Sequence, residues 1–187
     1  MALPLAPDRL ANLLYGNSSE TRPMVERAAS GLALSATFGA AAAARHGVLA
    51  MLVHAAGVPL GLTVAVLLAT PALCIAVAHF DLPLDATGVV AAVCRGLAVT
   101  GLALLGMAPA ALLLTATVES PVTAAVVTAL GLALGGALGL RQVVRGLGSE
   151  RRAYLVVFIP FVVLLATRTW WLTLPMLGRG VVGGVAP

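Results

Sequence analysis

Two arginines stand inside apolar stretches of the chain and are its most informative polar residues. Arg95 and Arg168 are each the only charged residue of a long apolar segment. An ionisable group inside a membrane costs about 2.5–3.5 kcal/mol on insertion scales unless it is paired or reaches the interface. Asp81 or Asp85 is the expected partner of Arg95, and Glu119 that of Arg168. The pattern predicts ion pairs that fix helix register or, alternatively, a site for an anion or a lipid headgroup.

The histidines raise the question of haem or pigment ligation, which needs a His that faces into a helical bundle. The predicted topology places His46 and His54 near the outer side of the membrane and His79 at the inner end of a span. His54 and His79 therefore cannot hold one iron together, and packed or interfacial histidines are the simpler interpretation. Cys74 and Cys94 lack CxxC spacing, which favours small packing residues. We predict no cofactor and no metal site, with ligation by a single His as the alternative.

Small residues recur at four-residue spacing along three predicted helices. This spacing lets helix backbones approach closely, and packing is the main force between helices in lipid, so we expect these positions at helix contacts. Their partner is either another helix of the same chain or another subunit. The positions are Gly31, Ser35 and Gly39, then Gly57 and Gly61, and finally Gly131, Gly135 and Gly139.

The composition of the chain places these helices in a membrane. Of 187 residues, 60% are hydrophobic and 10% are charged, with a mean hydropathy of +1.05, whereas soluble domains are about 25% charged. Few residues are aromatic, which favours a helical bundle over a barrel with aromatic girdles. The net charge of +4 comes from scattered arginines, a pattern typical of membrane orientation and not of a nucleic-acid surface. The predicted fold is all-α, a polytopic transmembrane bundle of about five spans plus short interfacial helices, with the lipid bilayer as its surroundings and no nucleic-acid partner.

Five apolar segments approach the roughly 20 residues that a transmembrane helix needs. A cytoplasmic segment with a short interfacial helix (1–27) is expected to precede spans at about 28–44, 59–80, 86–117, 122–140 and 154–176, before a Gly-rich tail (177–187). Residues 48–57 are too few to cross and precede Pro59, so we expect a separate surface helix there. The third span exceeds one perpendicular crossing and is expected to be tilted, kinked at Pro109 or extended beyond the membrane.

The arginines predict the orientation, because basic residues accumulate on the cytoplasmic side. With the N-terminus inside, the cytoplasmic side carries seven arginines and the far side carries two. If residues 48–57 instead joined a sixth span, the later helices would invert. The seven are Arg9, Arg22, Arg27, Arg141, Arg145, Arg151 and Arg152, and the two are Arg45 and Arg179.

The order of these features resembles a family of uncharacterised bacterial multi-span inner-membrane proteins, broadly similar to Yip1-type proteins. The likeness covers most of the chain. It is carried by Leu14-Tyr15-Gly16, Arg22-Pro23 before Glu26-Arg27, the Gly47-to-Pro59 connector with VPLGLTVAVLLATPAL, Ala108-Pro109, GLALGGALGLRQVVRGL, and Trp171 with Pro175 and Gly178. Around Pro175 this chain has Leu174 and Met176 where the family has Arg and Phe, so no role of that Arg is carried over. The resemblance implies a location in the bacterial inner membrane and an architecture, without an activity.

These observations favour a non-enzymatic membrane subunit or scaffold of a larger complex, partnered by other membrane proteins or by itself. No Walker loop, HExxH or GxSxG context occurs, and the predicted spans lack the acidic residues that proton-coupled carriers use. The first alternative is a small transporter or channel with an Arg-lined site for an anion or a lipid headgroup. The second is a haem- or pigment-binding subunit.

Overall fold

The chain folds into long α-helices. The computed structural model describes residues 18–79, 86–117, 121–147, 159–165 and 168, and these residues contain no β-strand. The helices are α1, Ser18–Ala42; α2, Val48–His79; α3, Ala86–Thr117; and α4, Pro121–Gly146. A 3₁₀ turn, Ala44–His46, joins α1 to α2, and residues 159–165 are also helical. The described part of the chain is therefore all-α, as predicted.

In the described part of the chain, three helices are long and apolar enough to cross a membrane: α2 over Val48–Ile75, α3 over Thr87–Thr117 and α4 over Ala125–Gly146. This supports the prediction of a helical membrane protein. The count of five spans stays a prediction. Predicted span 28–44 lies in α1, whose first ten residues carry four charges. Most of predicted span 154–176 lies outside the described residues, as do residues 1–17 with the expected interfacial helix and the tail 177–187.

Two helix boundaries differ from the expectation. The separate surface helix expected over 48–57 is instead the first part of the continuous helix α2, which runs through Pro59 and Pro71. Proline is tolerated inside membrane helices, where neighbouring groups compensate for the lost hydrogen bond, so Pro59 did not mark a helix end. Helix α1 begins at Ser18, before the start expected at Ala28. Helix α3 has the bounds expected for the third span, and its 32 residues measure about 48 Å against about 30 Å of hydrocarbon.

Close glycine contacts fix the direction of α1 relative to its neighbours. Gly31 lies against the backbone of Leu97, so that a Cβ at Gly31 would stand 2.5 Å from the Leu97 carbonyl oxygen. Towards the other end of α1, the Thr115 hydroxyl lies 3.2 Å from the Ala41 carbonyl oxygen, in addition to 2.8 Å from the Ala111 carbonyl oxygen of its own helix. From the first contact to the second, the residue numbers rise on both helices, from 31 to 41 on α1 and from 97 to 115 on α3. Helices α1 and α3 are therefore parallel. Gly39 meets the backbone of His54 on α2, and α2 returns antiparallel after the turn.

Helix α4 packs antiparallel against α3. Gly139 approaches the Gly96 carbonyl, and Gly146 approaches Ala92. The starts of α1 and α3 and the ends of α2 and α4 therefore share one end of the bundle, which also carries Arg27 and Arg145. We call this the basic end. Arg45, in the turn after α1, lies at the opposite end.

Two separate apolar clusters hold the helices together. The Phe38 cluster, near the Arg45 end, joins all four helices through Phe38, Val58, Leu104, Ala108, Ala111 and Leu132. The Leu73 cluster, at the basic end, consists of Leu73, Val89, Ala92 and Leu147, with Val162 of the 159–165 helix packed against it. Among the described side chains, α1 contributes to the Phe38 cluster and not to the Leu73 cluster.

The reversal between α1 and α2 depends on one backbone conformation. Gly47 follows the 3₁₀ turn with φ 91° and ψ 170°. This region is essentially restricted to glycine, because a Cβ clashes with the backbone there. Gly47 thus gives the chain a tight turn in which α2 can begin immediately at Val48.

Candidate functional site

A cavity of about 850 Å³ lies between the two apolar clusters. Its walls are residues 62–73 of α2, 93–100 of α3 and 129–144 of α4, and residues 159–163 close part of a fourth side. Because the helix contacts place α1 against α2 and α3 and place α4 against α3, the cavity occupies the space left between α2 and α4.

The two clusters form the ends of the cavity. Leu62 and Leu132 line it; Leu132 belongs to the Phe38 cluster and Leu62 packs on that cluster. Leu73 and Leu140 also line it; Leu73 belongs to the Leu73 cluster and Leu140 packs on that cluster. The residues of α2 between Leu62 and Leu73 span about 16 Å at 1.5 Å per residue. The cavity is thus elongated along the helices.

The polar groups of the described wall are few and mostly satisfied. The Thr70 hydroxyl donates to the Val66 carbonyl at 2.7 Å, and the Thr100 hydroxyl donates to the Gly96 carbonyl at 3.0 Å. A hydroxyl bonded to its own helix presents little polarity to its surroundings. Arg141 is the only charged residue among the described lining residues; it is exposed and stands towards the basic end. The cavity is therefore apolar with a cationic rim.

Glycines form the wall where α3 meets α4. A Cβ at Gly96 would come within 3.0 Å of the Gly139 carbonyl oxygen, so the two backbones touch. Gly136 differs, because a Cβ built there meets nothing within 4 Å. A side chain at Gly136 would therefore enter open space, while one at Gly96 or Gly139 would separate the helices.

The remaining small residues singled out from the sequence lie at several helix contacts. A Cβ at Gly131 would stand 2.9 Å from Cε2 of the Phe38 ring, and one at Gly135 would stand 3.0 Å from the Leu104 side chain. Ser35 is buried and its hydroxyl donates to the Leu32 carbonyl at 2.7 Å. Gly31 and Gly39 make the α1 contacts described above. On α2, Gly61 is buried and Gly57 is half-buried.

The two arginines expected inside spans stand on the outside of the bundle. Arg95 and Arg168 are exposed, and neither lines the cavity. The Arg95 Nε donates to the Ala91 carbonyl of its own helix at 3.2 Å, which satisfies part of the guanidinium locally. Their expected partners Asp81, Asp85 and Glu119 lie outside the described residues, so the ion pairs stay predictions.

The histidines do not converge. His54 and His79 are separated by 25 positions of one helix, about 37 Å at 1.5 Å per residue. The His54 ring Nδ1 lies 2.9 Å from the Ala50 carbonyl, and His46 is exposed in the turn. Cys74 and Cys94 are half-buried and free, and Cys74 packs on the Leu73 cluster. Within the described part of the chain, no three His, Cys, Asp or Glu residues form a group that could hold a metal.

Sequence reasoning missed the glycines of α3 and the arginine at the cavity. Gly101 meets Gly31, and Gly96 meets Gly139. The four-residue spacing of Ala92, Gly96 and Thr100 is a signal that could have found the α3 face. Arg141 was interpreted only as an orientation signal, since nothing in its spacing indicates a cavity beside it.

No known protein family, curated protein or solved structure matches the chain. The resemblance to bacterial multi-span inner-membrane proteins accordingly stays a prediction from the sequence, and any function is argued from the chain itself.

Proposed function

We propose that the protein is a non-enzymatic membrane subunit or scaffold that assembles with other membrane proteins through the outer side of α2. The supporting observation is the position of α2 in the bundle. Helix α1 packs on both α2 and α3, and α4 packs on α3, whereas α2 packs closely on α1 and only lightly on α3. Among the described helices, α2 is thus at the edge of the arrangement, with one side available to a partner.

The outer side of α2 carries a row of leucines suited to helix packing. Leu49, Leu60 and Leu67 are 77%, 63% and 66% exposed. The three leucines are separated by 11 and 7 residues, about three and two turns at 3.6 residues per turn, so they lie on one face of the helix. Van der Waals packing along such a face is the principal force between helices in lipid. We call these three residues the α2 leucine face.

A photo-crosslinking amino acid at Leu60 tests the proposal in native membranes. The expected result is a crosslinked adduct of defined mass that contains a second membrane protein or a second copy of this chain. The matched control is the same substitution at Leu102, which is 62% exposed on α3 and lies outside the leucine face. Recovery of monomers alone with either label, together with no partner after mild detergent purification, would overturn the proposal.

We further propose that the basic end lies in the cytoplasm of a bacterium, with the protein in the inner membrane and its N-terminus inside. Support comes from the described arginines: Arg27, Arg141 and Arg145 lie towards that end and Arg45 towards the other. Basic residues concentrate on the cytoplasmic side of membrane proteins.

Thiol labelling in whole cells distinguishes the two orientations. In a chain without Cys74 and Cys94, an impermeant maleimide should label Arg45→Cys from outside and leave Arg145→Cys unlabelled until the membrane is opened. The reverse pattern would contradict the orientation, and labelling of both from outside would contradict the arrangement of the helices across the membrane.

A further inference from the structure

We propose that the cavity binds a fatty chain of one anionic lipid, with the lipid headgroup beside Arg141. The site is separate from the α2 leucine face, so it stands whether or not the protein is a subunit of a complex. The size of the cavity, its access from the bilayer and the charge at its rim support this assignment.

The size of the cavity suits a fatty chain. Its volume of about 850 Å³ is within the roughly 300–1,000 Å³ of small-molecule sites. Its length of about 16 Å between Leu62 and Leu73, at 1.5 Å per residue of helix, gives a flexible hydrocarbon chain room to lie along the helices.

The cavity is reached from the side of the bundle. Ala133 and Ala137 of α4 and Ile159 line it and are also exposed. These positions lie within or beside segments apolar enough for the membrane interior, so the surrounding medium at the opening is lipid. A void with no partner atoms loses dispersion contacts along its lining, and a chain entering from the bilayer restores them.

The charge at the rim selects an anionic headgroup. Arg141 is the charged residue of the described lining, and Arg145 lies one helical turn further towards the basic end. The long arginine side chain can lie along an apolar surface while its guanidinium stays at the polar boundary. There it presents several donors in a planar fork, which matches the geometry of phosphate oxygens. The apolar walls and the cationic rim are thus complementary to the two parts of an anionic phospholipid.

Lipid retention by a cavity-filling variant tests the binding of the fatty chain. The full chain is reconstituted in nanodiscs of equal phosphatidylglycerol and phosphatidylcholine, exchanged into detergent and weighed by native mass spectrometry. Wild type should retain one lipid, and Gly136→Phe should lose it, because the added ring enters the cavity without meeting backbone. Gly106→Phe is the matched control, since a Cβ at Gly106 also meets nothing within 4 Å and the residue lies outside the cavity lining. It should retain the lipid.

A second pair of variants tests the headgroup. Arg141→Gln should reduce the preference for phosphatidylglycerol over phosphatidylcholine by about fivefold, the effect of one basic residue near an anionic surface. Arg95→Gln removes the same charge from an exposed site on the neighbouring helix that does not line the cavity, and should leave the preference unchanged. Equal effects of both variants would overturn the assignment of the headgroup to Arg141.

Three results would overturn the binding of the fatty chain. These are equal lipid retention by Gly136→Phe and wild type, loss of lipid from Gly106→Phe as well, and a second polypeptide in place of the lipid in the wild-type mass. Thermal unfolding of each variant identifies failures of folding. If Gly136→Phe does not fold, Ala137→Phe takes its place, because Ala137 lines the cavity from its exposed side; retention of lipid by a folded Ala137→Phe would then count against the site.

Discussion

Replacement of Gly101 by alanine should separate α1 from α3 and destabilise the bundle. A Cβ at Gly101 would stand 2.6 Å from the Gly31 Cα, whereas ordinary van der Waals contact begins at 3.4 Å. The Gly31 Cα is a backbone atom and the Cβ is attached directly to the α3 backbone, so no flexible side chain can move aside. The helices must therefore separate locally by close to 1 Å. A gap of that size forfeits about a quarter to a half of the dispersion energy between the facing atoms.

The expected cost follows from what is known of overpacked cores. Inserting a methyl group into a well-packed interface costs about 1–3 kcal/mol, and the α1–α3 interface is the most extensive in the described bundle. The free energy of unfolding should thus fall by about 2 kcal/mol in Gly101→Ala, a change of roughly thirtyfold in the equilibrium constant.

Gly106→Ala is the matched control for this measurement. It makes the same chemical change five positions later in α3, where a Cβ meets nothing within 4 Å. Alanine is the better helix former by up to about 1 kcal/mol in water, so this variant should be neutral or slightly more stable. Unfolding is followed by circular dichroism during titration of mixed micelles with sodium dodecyl sulfate. Equal stabilities of Gly101→Ala and wild type, or equal losses in both variants, would refute the close packing of α1 on α3.

Three further substitutions extend the test to other parts of the fold, with the same unfolding titration. Phe38→Ala should cost roughly 3 kcal/mol, because a fully buried ring joins all four helices; an unchanged midpoint would contradict that role. Gly47→Ala should cost about 1–3 kcal/mol, since its φ of 91° with ψ 170° excludes a Cβ, and a stable variant would show that the turn can adopt another conformation. Thr115→Val removes a hydroxyl shared between the Ala41 carbonyl of α1 and the Ala111 carbonyl of its own helix, and should cost about 0.6 kcal/mol, the average for interhelical hydrogen bonds in membrane proteins. Thr117→Val removes hydrogen bonds within its own helix and should cost less; the opposite order would argue against the interhelical bond.

The turns between helices were predictable because strong local signals mark them. Asp81, Pro83 and Asp85 precede α3, and Glu119, Ser120 and Pro121 follow it, so the expected bounds of the third span coincide with those of α3. Pro59 is also a strong local signal, but it led to a wrong helix boundary. The rule that proline ends a helix reflects a lost hydrogen bond in water, and it is relaxed in a membrane where neighbouring groups compensate.

The partners of each helix could not be predicted from local patterns. The spacing of Gly31, Ser35 and Gly39 predicts a packing face, but the same spacing cannot tell whether α2, α3 or another chain covers it. The cavity was harder to predict from local patterns than the partners of each helix. It lies between two clusters that are separated along α2, one of which contains Leu73 while Leu62 packs on the other. This separation depends on where three other helices lie in space.

The parallel contact between α1 and α3 has a consequence for biogenesis. Gly101 follows Gly31 by 70 positions, and a ribosome that adds about 5–20 residues per second needs roughly 4–14 s to make that length. Helix α1 is also the helix with charges along its first turns and is outside the three that are apolar enough to cross a membrane unaided. It emerges before α3 and must wait for this principal partner. During that interval α1 depends on the insertion machinery or on the bilayer surface, so its stable placement in the bundle is expected to follow the synthesis of α3.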